Sequence, residues 1–129
     1  MKKLYSLIFL LFIFSMGIYG CSSADSTFGS INVDQLKKEM KENPNMILLD
    51  VRTPEELVGP LGHIEGVINI PVQNIEERVT ELDKYKDKEI TIICRSGYRS
   101  GIASEILFKK GFKVTNVEGG MIAYRQSEK

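Results

Sequence analysis

The chain has 129 residues, which is enough for one domain and no more. Its 17 basic and 17 acidic residues balance, and the basic residues are scattered along the chain, which excludes the electrostatic footprint of a nucleic-acid-binding protein. We therefore expect no nucleic-acid partner.

The first twenty residues have the pattern of an export signal. Met1-Lys2-Lys3 is basic, residues 4–19 are almost wholly apolar, and a polar run follows Cys21. The sequence Ile18-Tyr19-Gly20-Cys21 resembles a bacterial lipobox, which implies a signal peptide over 1–20 and a lipidated, palmitate-bearing Cys21. An uncleaved anchor is the alternative, because the apolar run is near the lower limit of about 17–25 residues for a spanning helix. Both readings place the globular domain outside the cytoplasm, held at a membrane.

After Cys21 the chain changes character. Residues 22–30 are rich in Ser and Gly and have no periodicity, so residues 21–30 are expected to form the lipidated cysteine and a flexible tether. The remaining residues, 31–129, alternate between short β-branched runs and amphipathic helical patterns. This alternation predicts a single α/β domain, an open doubly wound parallel sheet of about five strands with helices on both faces.

The order of the elements follows from apolar periodicity and from capping and turn residues. In chain order we predict a strand at 31–32, a helix from an Asn32 cap to about Asn43, a strand over 46–51, a short helix from Thr53, a strand over 67–70, a helix from Asn74 to about Leu82, a strand over 89–94, a helix from Arg99 to about Lys110 ended by Gly111, and a strand over 112–117. Doubly wound sheets place their sites at the carboxyl ends of strands.

Cys94 lies at such a strand end, after the β-branched run 90–93 (Ile-Thr-Ile-Ile). If Cys21 carries lipid, Cys94 has no partner within the chain, and a lone thiol is unusual in an exported protein because oxidising compartments favour paired cysteines. We predict that Cys94 is a catalytic nucleophile; a buried structural cysteine is the alternative. The single histidine and the one cysteine without lipid, Cys94, cannot build a zinc site. No metal, nucleotide or organic cofactor is expected.

The loop that follows Cys94 favours the thiolate. Its amides can turn towards the sulfur, and the positive end of the next helix adds to that field. Gly97 permits a backbone conformation closed to other residues, and Arg95 and Arg99 bring positive charge. Together these features should lower the cysteine pKa from its free value of about 8.5. The expected substrate-binding residues are Arg95, Ser96, Gly97, Tyr98, Arg99 and Ser100.

This loop resembles the active-site loop of rhodanese-like sulfurtransferases, and three further segments support the resemblance. They are Asp50-Val51-Arg52 with Pro54-Glu55-Glu56, the stretch 62–71 (Gly-His-Ile-Glu-Gly-Val-Ile-Asn-Ile-Pro), and Gly119-Gly120. The resemblance covers about residues 31–125. One departure is Tyr124, where the family usually has Trp; this position should affect packing or the rim of the site more than the chemistry.

The resemblance implies a sulfurtransferase. A sulfane sulfur would pass from thiosulfate or a persulfide through a Cys94 persulfide to a thiol, a protein thiol or cyanide. Asp50 and Arg52 would support the loop, with Arg99 as the partner of Asp50, although an ordinary structural ion pair fits equally well. The single histidine, His63, is generally structural in this family, and a preformed thiolate needs no general base.

Loop length distinguishes the main competing function. Protein tyrosine phosphatases place five residues between the cysteine and an arginine that clamps phosphate, whereas four residues separate Cys94 from Arg99. The tighter ring should fit one sulfur atom better than a tetrahedral oxyanion. The alternatives are a non-catalytic rhodanese-like module that binds a partner and, less favoured by the loop, a phosphatase or arsenate reductase.

Overall fold

The computed structural model of the protein describes residues 27–129. The predicted signal peptide over 1–20 and the lipidation site at Cys21 therefore lie outside the described residues. Within the described part of the chain, none of the helices combines the length and the apolar character needed to cross a membrane.

Five strands form a single parallel sheet. They are β1 (Gly29–Ile31), β2 (Ile47–Asp50), β3 (Ile68–Asn69), β4 (Glu89–Ile93) and β5 (Lys113–Val117), in the spatial order β1-β5-β4-β2-β3. Every neighbouring pair is parallel, so the carboxyl ends of all five strands lie at the same edge. The predicted single α/β domain with a five-stranded doubly wound sheet is confirmed.

Helices cover both faces of this sheet. They are α1 (Val33–Glu42), α2 (Pro54–Leu57), α3 (Ile75–Arg78), α4 (Tyr98–Lys109) and α5 (Gly120–Gln126), with 3₁₀ turns at Val72–Asn74 and Val79–Tyr85. On one face, Leu36 of α1 and Met121 of α5 belong to one buried cluster. On the other, Ile75 of α3 and Leu107 of α4 belong to a second cluster.

The two central strands supply side chains to both clusters. In β2, Leu48 faces the α1 side and Leu49 the α4 side, and in β4 Ile93 and Ile92 divide in the same way. Successive strand residues point to opposite faces, and both faces are covered by helices. This explains why neighbouring residues in these strands are apolar on both faces of the sheet.

Two predicted elements differ from the structure, and one helix was not predicted. The first strand begins at Gly29, which pairs with Thr115, so residues 29 and 30 belong to the sheet and not to the tether. The helix predicted over 74–82 is one α-helical turn followed by a 3₁₀ helix, and the β-branched Val79 and Thr80 at this junction disfavour α-helix. The helix that was not predicted is α5, whose first residue and cap are both glycines, which disfavour helix locally.

Candidate active site

Cys94 is placed by the end of β4 and the start of α4. Its side chain lies in the cluster on the α4 face with Ile90 and Ile92, as alternation along the strand requires. Gly97 is the N-cap residue of α4 and has φ +104°, a left-handed conformation that favours glycine. The chain therefore turns from strand to helix within a few residues, directly around the sulfur.

Hydrogen-bond donors of the loop converge on that sulfur. The Gly97 amide lies 3.1 Å from Cys94 Sγ, and the Ser100 hydroxyl lies 3.3 Å from it. Burial opposes ionisation of the thiol, but the Ser100 hydroxyl and the amides of Ser100, Gly97 and Ser96 outweigh it and lower the pKa of Cys94 below its ordinary value. The direction agrees with the prediction from the loop sequence.

The sulfur lies beneath an exposed rim. Cys94 is 1% exposed, whereas Arg95 and Ser96 are exposed and Tyr98 is 76% exposed. Ser100, on the first turn of α4, is fully buried. Of the predicted substrate-binding residues, Gly97 and Ser100 thus contact the sulfur, while Arg95 and Tyr98 stand at the entrance.

The Gly119-Gly120 segment holds the loop from the opposite side. The Met121 amide donates to the Cys94 carbonyl (2.8 Å) and the Ile122 amide to the Arg95 carbonyl (3.0 Å). Gly120 has φ +55°, and a Cβ atom there would lie 2.5 Å from the Cys94 carbonyl oxygen. The C-terminal glycine pair therefore fixes the backbone of the cysteine loop.

Asp50 and Arg52 form a buried ion pair beside the loop. Arg52 Nη2 lies 2.7 Å from Asp50 Oδ2, Arg52 Nε lies 3.0 Å from Oδ1, and Nη2 also donates to the Gly62 carbonyl. Asp50 is in register with Ile93, the residue before Cys94. The prediction that Arg99 is the partner of Asp50 is wrong, because the Arg52 guanidinium occupies both carboxylate oxygens.

Arg99 instead pairs with Glu56 of α2. Both contacts between the guanidinium and the carboxylate are 2.7 Å, in a two-point arrangement. The hydrogen bond from Arg99, opposed by burial and helped by the Thr53 amide, lowers the pKa of Glu56 to about 2. The sequence placed Glu56 only in a motif and in the first turn of a short helix. The capping pattern Thr53-x-x-Glu56 indicates that its carboxylate folds back onto the Thr53 amide, which the structure shows at 3.1 Å, but it does not indicate the contact with Arg99.

Two further residues hold the segments around the site. Asn69 Nδ2 donates to the carbonyls of Asp50 (2.9 Å) and Arg52 (2.8 Å), which fixes the end of β2. Arg125 of α5 donates to the carbonyls of Leu61 (2.7 Å) and His63 (3.1 Å). Sequence reasoning missed both, because their partners are main-chain atoms far along the chain.

His63 and Tyr124 have structural positions. The exposed His63 imidazole donates from Nδ1 to the Leu57 carbonyl (3.1 Å), within its own segment. Tyr124 packs in the cluster of α1 and α5, with Lys37 Nζ 4.8 Å from its ring centroid. The ring therefore contributes to packing between these helices.

A cleft of ≈ 400 Å³ opens beside the loop. Its lining residues are Arg52, Glu55, Glu56, Gly59, Pro60, Leu61 and Arg95. A larger cavity of ≈ 490 Å³ lies against the amino ends of β2 and β4 and includes no residue of the cysteine loop. The smaller cleft is the one that contacts the cysteine loop, because Arg95 lines it. Among the described residues, no three His, Cys, Asp or Glu side chains group closely enough to hold a metal ion.

Comparison with known proteins defines the class of this fold and site. The Rhodanese-like domain family matches residues 32–127. The structure is similar to the crystal structure of a rhodanese-like domain protein from Staphylococcus aureus, with a TM-score of 0.68 and 34% identity, covering 75% of this chain and 91% of that one. The chain belongs to the rhodanese-like family, as its motifs predicted.

Individual relatives are also similar over most of their length. The putative sulfurtransferase YtwF of Bacillus subtilis (strain 168) is 39% identical over 99 residues, which cover 77% of this chain and 92% of that protein. A sulfurtransferase of Allochromatium vinosum is 34% identical over 95 residues, covering 73% and 85% respectively.

Proposed function

We propose that this protein is a sulfurtransferase that carries a sulfane sulfur on Cys94. The observation that supports this most strongly is the position of the thiol at the end of β4, where the Gly97 amide and the Ser100 hydroxyl both point at Sγ. Donors in this arrangement stabilise negative charge on sulfur. They are equally suited to a thiolate and to a persulfide anion.

The reaction is a double displacement. The Cys94 thiolate attacks the outer sulfur of thiosulfate or a persulfide. A new S–S bond forms, the bond from the outer sulfur to the rest of the donor breaks, and the leaving group (sulfite or a thiolate) takes the electron pair. A thiolate or cyanide acceptor then attacks the terminal sulfur of the Cys94 persulfide, and the bond to Cys94 breaks to regenerate the cysteine thiolate.

The geometry of Arg99 argues against phosphate chemistry. A phosphatase needs the loop arginine free to clamp the phosphate with two hydrogen bonds. Here both terminal nitrogens of Arg99 are bound to Glu56 at 2.7 Å. The exposed Arg95 and the loop amides are the groups left to guide an anionic donor.

Incubation with thiosulfate labelled in its outer sulfur tests this proposal, with intact-mass analysis after removal of the donor. The protein should gain one labelled sulfur atom and release it on addition of a thiol or cyanide. A protein that gains none from thiosulfate or from a low-molecular-weight persulfide is a binding module and not a transferase.

We also propose that the domain is exported and tethered to a membrane through lipid on Cys21. The support is the basic, apolar and polar order of residues 1–26 and the sequence Ile18-Tyr19-Gly20-Cys21. Cys21→Ser should abolish acyl labelling and leave the precursor uncleaved in cells. Normal labelling of this variant would contradict the lipoprotein proposal.

A further inference from the structure

The charged side chains of the cleft lined by Arg95, taken with their ion-pair partners, balance one another. Arg52, Arg95, Glu55 and Glu56 line the cleft, and Asp50 and Arg99 pair with two of them, so three arginines meet three carboxylates. Arg52 is bound to the buried Asp50, and Arg99 is bound to Glu56. Arg95 is exposed and has no ion-pair partner among residues 27–129. A donor entering the cleft thus meets one unpaired arginine, although the sequence places two in the loop.

The pair between Glu56 and Arg99 is well placed to control this balance. Each side chain is 29% exposed, so solvent screens the pair only in part. The pKa of Arg99 is raised by its hydrogen bond to Glu56, against the effect of burial, and also by the charges of Glu56, Cys94 and Asp50. Arg99 belongs to the same loop as the thiol, yet its terminal nitrogens are already occupied by Glu56.

We propose that Glu56 is a positioning residue that sets donor specificity: by holding Arg99, it makes the site favour sulfur donors with one negative charge over the thiosulfate dianion. This inference rests on the proposed sulfur transfer through Cys94. A dianion approaching a thiolate needs more positive charge nearby than a monoanion does. Arg99 would supply this additional positive charge if it were released from Glu56.

Two small donors isolate the effect of charge. Thiosulfate and methanethiosulfonate carry the same outer sulfur, but a methyl group in the second replaces one charged oxygen of the first. In both reactions the Cys94 thiolate forms a bond to the outer sulfur, and the bond from that sulfur to the oxidised sulfur breaks. The electron pair leaves on sulfite or on methanesulfinate. The ratio of kcat/KM for the two donors therefore reports how the site treats the extra charge.

Glu56→Gln separates this role from the capping role of the residue. Glu56 Oε2 also accepts a hydrogen bond from the Thr53 amide at 3.1 Å, at the start of α2. Glutamine can complete the same capping box, but it lacks the charge and places an NH₂ group towards Arg99. The backbone arrangement is kept, while Arg99 loses its charged partner and one of its two contacts. The glutamine oxygen that accepts from the Thr53 amide can still accept a single hydrogen bond from Arg99 Nη1.

In Glu56→Gln, the ratio of kcat/KM for thiosulfate to that for methanethiosulfonate should rise about fivefold, mainly through a lower KM for thiosulfate. Glu55→Gln is the matched control: Glu55 lies on the same helix and lines the same cleft, without an ion-pair partner among the described residues. Glu55 is exposed, so solvent screens its charge, and its removal frees no arginine; its ratio should therefore change less than about twofold. Equal ratios in the two variants would overturn the proposal.

The dependence of kcat/KM on ionic strength, measured on the unmodified protein, is an independent test of the proposal. It remains available if Glu56→Gln does not fold. The arginines and carboxylates of the cleft balance, and the Cys94 thiolate adds negative charge, so added salt should not lower kcat/KM for either donor. If kcat/KM instead falls with added salt, about twice as steeply for thiosulfate as for methanethiosulfonate, the cleft is net positive and the proposal is overturned. If neither donor forms a Cys94 persulfide, the proposed function itself has failed. Transfer with an unchanged donor ratio refutes the role of Glu56 alone.

Discussion

Replacing Gly120 by alanine should disrupt both the fold and the cysteine loop. The added Cβ would lie 2.5 Å from the Cys94 carbonyl oxygen and 2.6 Å from the carbonyl carbon and oxygen of Arg95. These are backbone atoms, and the two carbonyl oxygens already accept hydrogen bonds from the amides of Met121 and Ile122. The clash can be relieved only by moving the loop away from α5.

The cost has two parts. At φ +55° an L-residue loses about 1–2 kcal/mol relative to glycine, and forcing an extra methyl into a filled site costs about 1–3 kcal/mol more. We therefore expect the free energy of unfolding to fall by about 2–5 kcal/mol, a large part of the roughly 5–15 kcal/mol typical of a domain. Sulfur transfer by the remaining folded protein should fall as well, because the Cys94 backbone is displaced.

Gly111→Ala is the matched control. Gly111 has φ +87°, but a Cβ there would meet nothing within 4 Å. It should lose only the conformational part, about 1–2 kcal/mol, and keep normal transfer. Urea unfolding of both variants, followed by circular dichroism, measures the difference. If Gly120→Ala loses no more stability than Gly111→Ala, the close contact between the glycine pair and the loop is refuted.

Two other substitutions test the site. Ser100→Ala removes a hydroxyl that lowers the pKa of Cys94. In the unmodified protein, the alkylation rate plotted against pH should have its midpoint below that of an ordinary thiol, and in Ser100→Ala this midpoint should move to higher pH. An unchanged midpoint would contradict this assignment. Asp50→Asn leaves the buried Arg52 charge without its charged partner and should lower the free energy of unfolding, measured by urea titration, by about 3–5 kcal/mol. A loss below about 1 kcal/mol would show that the ion pair is not needed for stability.

Local sequence signals were sufficient for the sheet and for the position of the thiol. The apolar run of β2 and the β-branched run of β4 predicted buried parallel strands, and Gly111 predicted the end of α4, because such preferences act within a few residues. Cys94 followed from its place at a strand end.

The ion pairs could not be predicted in the same way. Two arginines and two carboxylates near the loop allow more than one pairing, and side-chain geometry decides among them. The backbone after β2 turns the Arg52 guanidinium back onto Asp50, two residues away, whereas Arg99 reaches Glu56 across 43 positions of sequence. The family resemblance included the segment that contains Glu56, but only the folded structure shows that Glu56 pairs with Arg99.

The helix α5 could not be predicted from local sequence for a related reason. Its start contains two glycines with positive φ, a pattern that discourages helix when read locally. These residues are needed because the helix packs against the carbonyls of the cysteine loop. The requirement comes from tertiary contact and not from helix propensity.

The most direct test of the proposed mechanism is the mass of the protein after exposure to a sulfane-sulfur donor. The unmodified chain should gain one sulfur atom, located on Cys94 by peptide mapping and lost on addition of a thiol. Cys94→Ser should keep its circular dichroism spectrum, because the change is a single atom, and should gain no sulfur, because a serine hydroxyl with its far higher pKa cannot form the intermediate. Sulfur transfer above background by a folded Cys94→Ser protein would contradict the mechanism.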